Sequence, residues 1–191
     1  MPTRAIDALL YGLVNDYATI PPSAGALLVA APSIVDPNFA RTVVQLISHD
    51  DSGSLGVVIN RPDPSSDPVL AAALGDWLGM SPAPSVVFRG GPVSPDSFLC
   101  LAAAKSGVRS VDIANEDPGD VTRPWRVFRG YAGWAPGQLE DEVRGAGWYV
   151  VNSEPDDMFT SEPGHLWRDV LSRQSGSVRR FADFPDDPHL N

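Results

Sequence analysis

Three arginines stand at the ends of apolar segments: Arg61 in Asn60-Arg61-Pro62, Arg89 in Arg89-Gly90-Gly91-Pro92, and Arg129 just before Gly130-Tyr131-Ala132-Gly133-Trp134. A guanidinium is a planar fork of donors that can grip a carboxylate or phosphate through two hydrogen bonds at once. Paired glycines allow positive φ or let backbone amides approach a ligand closely. The rings of Tyr131 and Trp134 can stack on a flat molecule. Gln138, in the first turn of a following helix, can cap that helix or reach the same place. If these segments meet at one rim, they would form a small anion-accepting cleft. Each also has a plainer reading: arginines paired with surface carboxylates, Gly90-Gly91-Pro92 as a tight turn, and Trp134 as a core plug.

Other chemistry finds little support. Gly90-Gly91-Pro92 is followed by neither a helix start nor Lys-Ser or Lys-Thr, so phosphate-loop and dinucleotide patterns are not met. His49-Asp50-Asp51 reads as a lone histidine at a solvated turn, and the other histidines are His165 and His189. Cys100 lies in an apolar strand with no basic neighbour in sequence, which suits a buried, inert thiol. No catalytic residue, metal or cofactor is therefore expected.

Charge narrows the partners. Lys and Arg number 14 against 24 Asp and Glu, a formal net charge of -10, and Lys105 is the sole lysine. Such a field repels phosphate backbones and anionic lipid surfaces, so neither general nucleic-acid binding nor membrane association is expected. A lone cysteine gives no internal disulfide, and Met1 to Gly25 lacks the continuous apolar segment of a signal peptide or membrane span. A cytoplasmic protein is the expectation.

The elements that must position the arginines follow from periodicity. Ile6, Leu9, Leu10, Leu13, Val14 and Tyr17 recur at helical spacing up to Pro21-Pro22, giving an N-terminal helical extension over residues 1–24. Ala26–Ala30 reads as a buried strand. Thr42–Ser48 and Leu55–Ile59 flank the polar Asp50-Asp51-Ser52-Gly53 and read as an antiparallel hairpin. Pro62 ends the second of these strands and bars further ladder pairing. Asp67-Pro68 starts a helix carrying Leu70, Leu74, Trp77 and Leu78. Further strands are expected at Ser85–Phe88, Ser97–Leu101, Trp125–Phe128 and Trp148–Val151, with a loop from Asn115 to Pro124. Gly130–Trp134 reads as an aromatic glycine turn. Pro136–Arg144 and the segment with Leu166, Trp167, Val170 and Leu171 read as helices, and residues 175–191 as a disordered tail. Hairpins with occasional helices, lacking regular strand-helix alternation, describe a single α+β domain over residues 25–174.

Several separated blocks carry a family resemblance: Asp36–Thr42 with Phe39 and Arg41, Asn60-Arg61-Pro62, Gly90-Gly91-Pro92, and Gly130-Tyr131-Ala132 through Trp134 to Gln138-Leu139-Glu140. Together they resemble the bacterial AlgH/YqgE family. The resemblance implies a curved, barrel-like mixed sheet flanked by helices. Because the family is named from an association with alginate production, it also implies a regulatory role. Arg61 stands where relatives often carry lysine, which keeps the charge and changes its geometry. Arg41, Asn60, Arg61, Arg89, Gly90, Gly91, Tyr131, Trp134 and Gln138 are the expected ligand-binding residues. The expected function is a non-enzymatic binding or regulatory domain for an unknown protein or a small anionic ligand. The alternative is an enzyme acting on an anionic small molecule through an arginine-lined cleft.

Overall fold

A computed structural model describes residues 20–64, 72–105 and 107–184 of the chain. The helix expected from Ile6 to Tyr17, the helix start at Asp67-Pro68 with Leu70, and the tail beyond residue 184 lie outside the described residues. Within them the protein is a mixed sheet of nine strands, not closed into a barrel, with short helices on its faces. The strands are β1 (Leu27–Ala30), β2 (Val43–Asp50), β3 (Gly53–Val58), β4 (Pro62–Asp63), β5 (Val87–Arg89), β6 (Val93–Ala103), β7 (Val108–Val111), β8 (Trp125–Trp134) and β9 (Trp148–Val151). The helices are α1 (Gly75–Gly79), α2 (Gln138–Arg144) and α3 (Leu166–Ser172), followed by a 3-10 helix at Val178–Asp183. The main path runs β4-β5-β8-β3-β2-β1-β9, with β6 on the other side of β8 and β7 beyond it.

The central strands are buried on both faces, which is why β1 reads as an unbroken apolar run. Leu27 and Val29 point to a core closed by Leu166, Trp167, Val170 and Leu171 of α3. Leu28 and Ala30 point the opposite way, to a core with Leu139 and Val143 of α2. A third cluster joins Trp77, on α1, to Cys100, Trp125 and Val127. The hairpin turn is as short as its residues suggest: Asp50 pairs with Gly53, and an Asp50 carboxylate oxygen accepts from the Ser52 amide at 2.8 Å.

Four local expectations need correction. Pro62 does not end pairing: it opens β4, where Pro62 and Asp63 sit opposite Phe88 and Val87. A two-residue edge strand can spare the missing amide hydrogen. Gly130–Trp134 is not a turn, since β8 runs on through Trp134. Gly130, at φ 67, is a kink within the strand. It resets the side-chain alternation, so that Phe128 and Tyr131, three residues apart, both reach the α3-side core, while Ala132 and Trp134 reach the α2 side. The connection after β6 holds strand β7, unseen because half its side chains face solvent. The expected tail contains the 3-10 helix, whose Val178 is fully buried against α3.

Candidate functional site

The arginines are brought together by strand register. β5 runs parallel to β8 with Phe88 opposite Phe128 and Arg89 opposite Arg129. On the other side of β5, the Arg89 amide donates to the Arg61 carbonyl at 2.9 Å. Three guanidiniums from three adjacent chain segments therefore project at one corner of the sheet. They line a cavity of about 360 Å³ together with Pro37, Asn38, Gly91, Pro92 and Pro95.

One buried carboxylate organises the corner. Asp63, its side chain 7% exposed, accepts from Arg89 Nε at 2.9 Å and from the same guanidinium's second nitrogen at 3.3 Å. Arg129 stands 3.9 Å from it. This pairing holds Arg89 above the usual arginine range, the hydrogen bond from Asp63 being the main cause. Arg61 has no such partner among the described residues: its guanidinium donates to the Ala40 carbonyl at 2.5 Å, and burial followed by the like charge of Arg89 pushes its pKa down. Among the described residues, three cations face one anion at this corner, a local excess of positive charge inside an acidic protein. A dianion entering there would meet charge, donors and a proline-walled recess at once.

The other expected ligand-binding residues divide by role. Asn60, 7% exposed, is structural: its side-chain oxygen accepts from the Val43 amide at 2.9 Å and its amide donates to the Arg41 carbonyl at 2.9 Å. Gly90 is buried between strands, receiving the Val58 amide and donating to the Arg129 carbonyl. A Cβ on Gly90 would come within 2.2 Å of the Gly130 carbonyl oxygen. The paired glycines thus serve close strand approach, and Gly91 alone of the two borders the cavity. Arg41 lies elsewhere, its guanidinium 4.7 Å over the Trp167 ring. Tyr131 packs against the α3-side core. Trp134 and Gln138 border a separate cavity of about 460 Å³ beside α2.

Asp63 carries no signal in the sequence, because a proline at 62 predicts the end of the strand rather than a pairing that buries the next residue. Glu142 does carry one, since it follows Gln138 by four residues and therefore shares its helix face. Glu142 accepts from the indole nitrogens of Trp134 at 2.9 Å and Trp148 at 2.8 Å, and from Gln138 at 2.8 Å. His49 is better partnered than a solvated turn residue: Nδ1 lies 2.8 Å from Ser54 Oγ, and Nε2 lies 3.6 Å from Glu140. Ser54 is 8% exposed and this trio borders neither cavity, so it reads as a cross-strand bond braced by α2. Cys100 is 2% exposed, and burial pushes its thiol up to about 12, which leaves it protonated and unreactive at neutral pH.

Comparisons agree with this architecture. A UPF0301 protein of Streptomyces coelicolor is 46% identical over 187 residues, spanning 87% of this chain and 94% of its own. One of Thermobifida fusca is 40% identical over 190 residues, with 87% and 94% covered. The crystal structure of protein DIP2367 from Corynebacterium diphtheriae matches with a TM-score of 0.76 at 26% identity, covering 90% of this chain and 97% of that one. The solution structure of the AlgH protein from Pseudomonas aeruginosa matches with a TM-score of 0.59 at 26% identity, covering 87% and 97%. None of these names states a ligand or a reaction. The AlgH-like family model matches residues 27–179, most of the chain, and the protein belongs to that family.

Proposed function

We propose that the protein is a non-enzymatic binding domain that takes a small anion at the corner formed by Arg61, Arg89 and Arg129. The observation that carries this reading is the charge imbalance: three guanidiniums border one cavity, and Asp63, the carboxylate within ion-pair reach of Arg89 and Arg129, engages mainly Arg89. The enzyme alternative asks for an acid or base facing the same cavity. Asp63 is occupied in holding the arginines, and His49 and Cys100 lie elsewhere, so binding is favoured over turnover. A regulatory role would follow if the bound anion altered a partner-facing surface. With its strong negative charge, the protein would then influence transcription indirectly, through a protein or metabolite, rather than by contacting DNA.

Isothermal titration with inorganic pyrophosphate tests the reading. Binding should weaken by about tenfold or more in Arg129→Gln, because a charge-assisted bond is worth about 1.5–3 kcal/mol. Arg129 is 42% exposed on its side chain, so the fold should tolerate the change. Heat release unchanged between the two proteins, or absent from the parent, would end the proposal.

A further inference from the structure

The arginine corner is open to solvent as well as charged. Arg89 and Arg129 leave 65% and 42% of their side chains exposed. Pro37, Pro92 and Pro95, which wall the recess beside them, are exposed too. Asp63 shows what a carboxylate can do among these groups. Its two oxygens lie in one plane and both go to a single fork of Arg89, at 2.9 and 3.3 Å, while Arg129 stays 3.9 Å away. Arg61, on a third segment, bonds a carbonyl instead and keeps the like charge of Arg89 as a neighbour. Three guanidiniums from three segments thus surround one recess, and two coplanar oxygens do not serve them all.

We propose that the recess binds a small phosphomonoester, its phosphate among the three arginines and its ester group against the prolines. This rests on the anion-binding reading above and narrows it to one class of ligand. A phosphomonoester carries about −1.5 to −2 charge at pH 7 and three terminal oxygens set tetrahedrally, so it matches both the cationic excess and the spread of donors. A carboxylate brings one charge and two oxygens. A phosphodiester also brings one charge, and its chain must leave the recess in two directions. A sulfate ester has the shape with only one charge. Proline rings carry no N–H and offer C–H surface, which a bare phosphate leaves unused and an apolar or flat ester group covers. The cavity, about 360 Å³, sits near the lower end of the roughly 300–1,000 Å³ range of small-molecule sites, which suits a phosphate with one ring-sized substituent.

Calorimetric titration of the full chain with phenyl compounds tests this, because they share one ring and differ in the head group. Phenyl phosphate should bind about tenfold tighter than phenyl sulfate, which keeps the tetrahedral shape with one charge, and about tenfold tighter than benzoate, which is planar. It should also exceed inorganic phosphate by about threefold or more, the gain coming from the ring on the prolines. Pro95→Ala, a change at an exposed side chain, should reduce that gain while leaving the affinity for inorganic phosphate unchanged. Phenyl sulfate or benzoate binding as tightly as phenyl phosphate would overturn the proposal. So would inorganic phosphate matching phenyl phosphate, or Pro95→Ala leaving the gain in place. Pyrophosphate in a parallel titration separates this failure from that of the broader reading. With pyrophosphate bound and phenyl phosphate not preferred, the corner takes anions of another class; with neither bound, both proposals fall.

Discussion

Arg126 shows how much a single side chain can cost this fold. It is 1% exposed on β8, with its guanidinium carbon 4.1 Å over the Phe88 ring. One terminal nitrogen donates to the Thr160 carbonyl at 3.0 Å and stands 3.4 Å from that of Ala83, while Nε and the other nitrogen are buried without a hydrogen-bond partner. Burial pushes its pKa down to about 10. A folded value below the unfolded one means that charging opposes folding. The penalty is fully present below about pH 10 and is relieved as pH rises from there toward the ordinary arginine value. Replacing a buried, poorly compensated ion with an apolar side chain of similar length is often neutral or stabilising by about 1–4 kcal/mol. Arg126→Met should therefore leave urea-unfolding stability at neutral pH unchanged or higher. A loss of about 3 kcal/mol or more would mean that the fold compensates this charge in full. Nothing in the sequence marks Arg126 as different from Arg129. The regular register from Arg126 to Arg129 puts the two on opposite faces of β8, but both faces of the strand are buried there, so alternation alone does not say which arginine is enclosed.

At the scale of elements, the kink at Gly130 and its neighbours explain what was and was not legible. Gly91 and Gly130 meet across adjacent strands, and a Cβ on Gly91 would lie 2.3 Å from the Tyr131 carbonyl. Gly91→Ala should cost about 3 kcal/mol or more, because backbone has no way to yield there. Gly75→Ala, in α1 with nothing within 4 Å of a new Cβ, should instead gain up to about 1 kcal/mol from helix propensity. Thermal melts of the pair separate a packing glycine from a permissive one. The β2–β3 hairpin, β1, β9 and the buried faces of α2 and α3 were readable because each has a local signal: turn residues, a continuous apolar run, or helical spacing. β4 and β7 were not. Two residues beginning with proline carry no strand pattern, and β7 exposes Arg109 and Ser110. The arginine corner was half legible: strand ends at Arg61, Arg89 and Arg129 could be guessed, but their meeting depends on the parallel β5–β8 register, a non-local fact. Trp134 and Gln138 border a different cavity, although their closeness to Arg129 in sequence predicts a shared one.

For the molecule as a whole, charge and its concentration make separable predictions. A net charge of -10 disfavours the approach of a polyanion, whereas the excess at the arginine corner acts only within about 8 Å, the Debye length at physiological salt. A small anion can enter that zone alone; a DNA duplex must also bring its flanking phosphates against carboxylates. The corner also supplies three guanidiniums at most, too few for the many phosphate contacts that give non-specific binding its strength and steep salt dependence. Fluorescence anisotropy with random duplex DNA should therefore show no binding at physiological salt, even under conditions where pyrophosphate binds. Micromolar binding that weakens steeply with salt would mean that the positive surface extends well beyond Arg61, Arg89 and Arg129. Pyrophosphate competing for that same surface would then recast the corner as one end of a nucleic-acid track rather than a small-anion site.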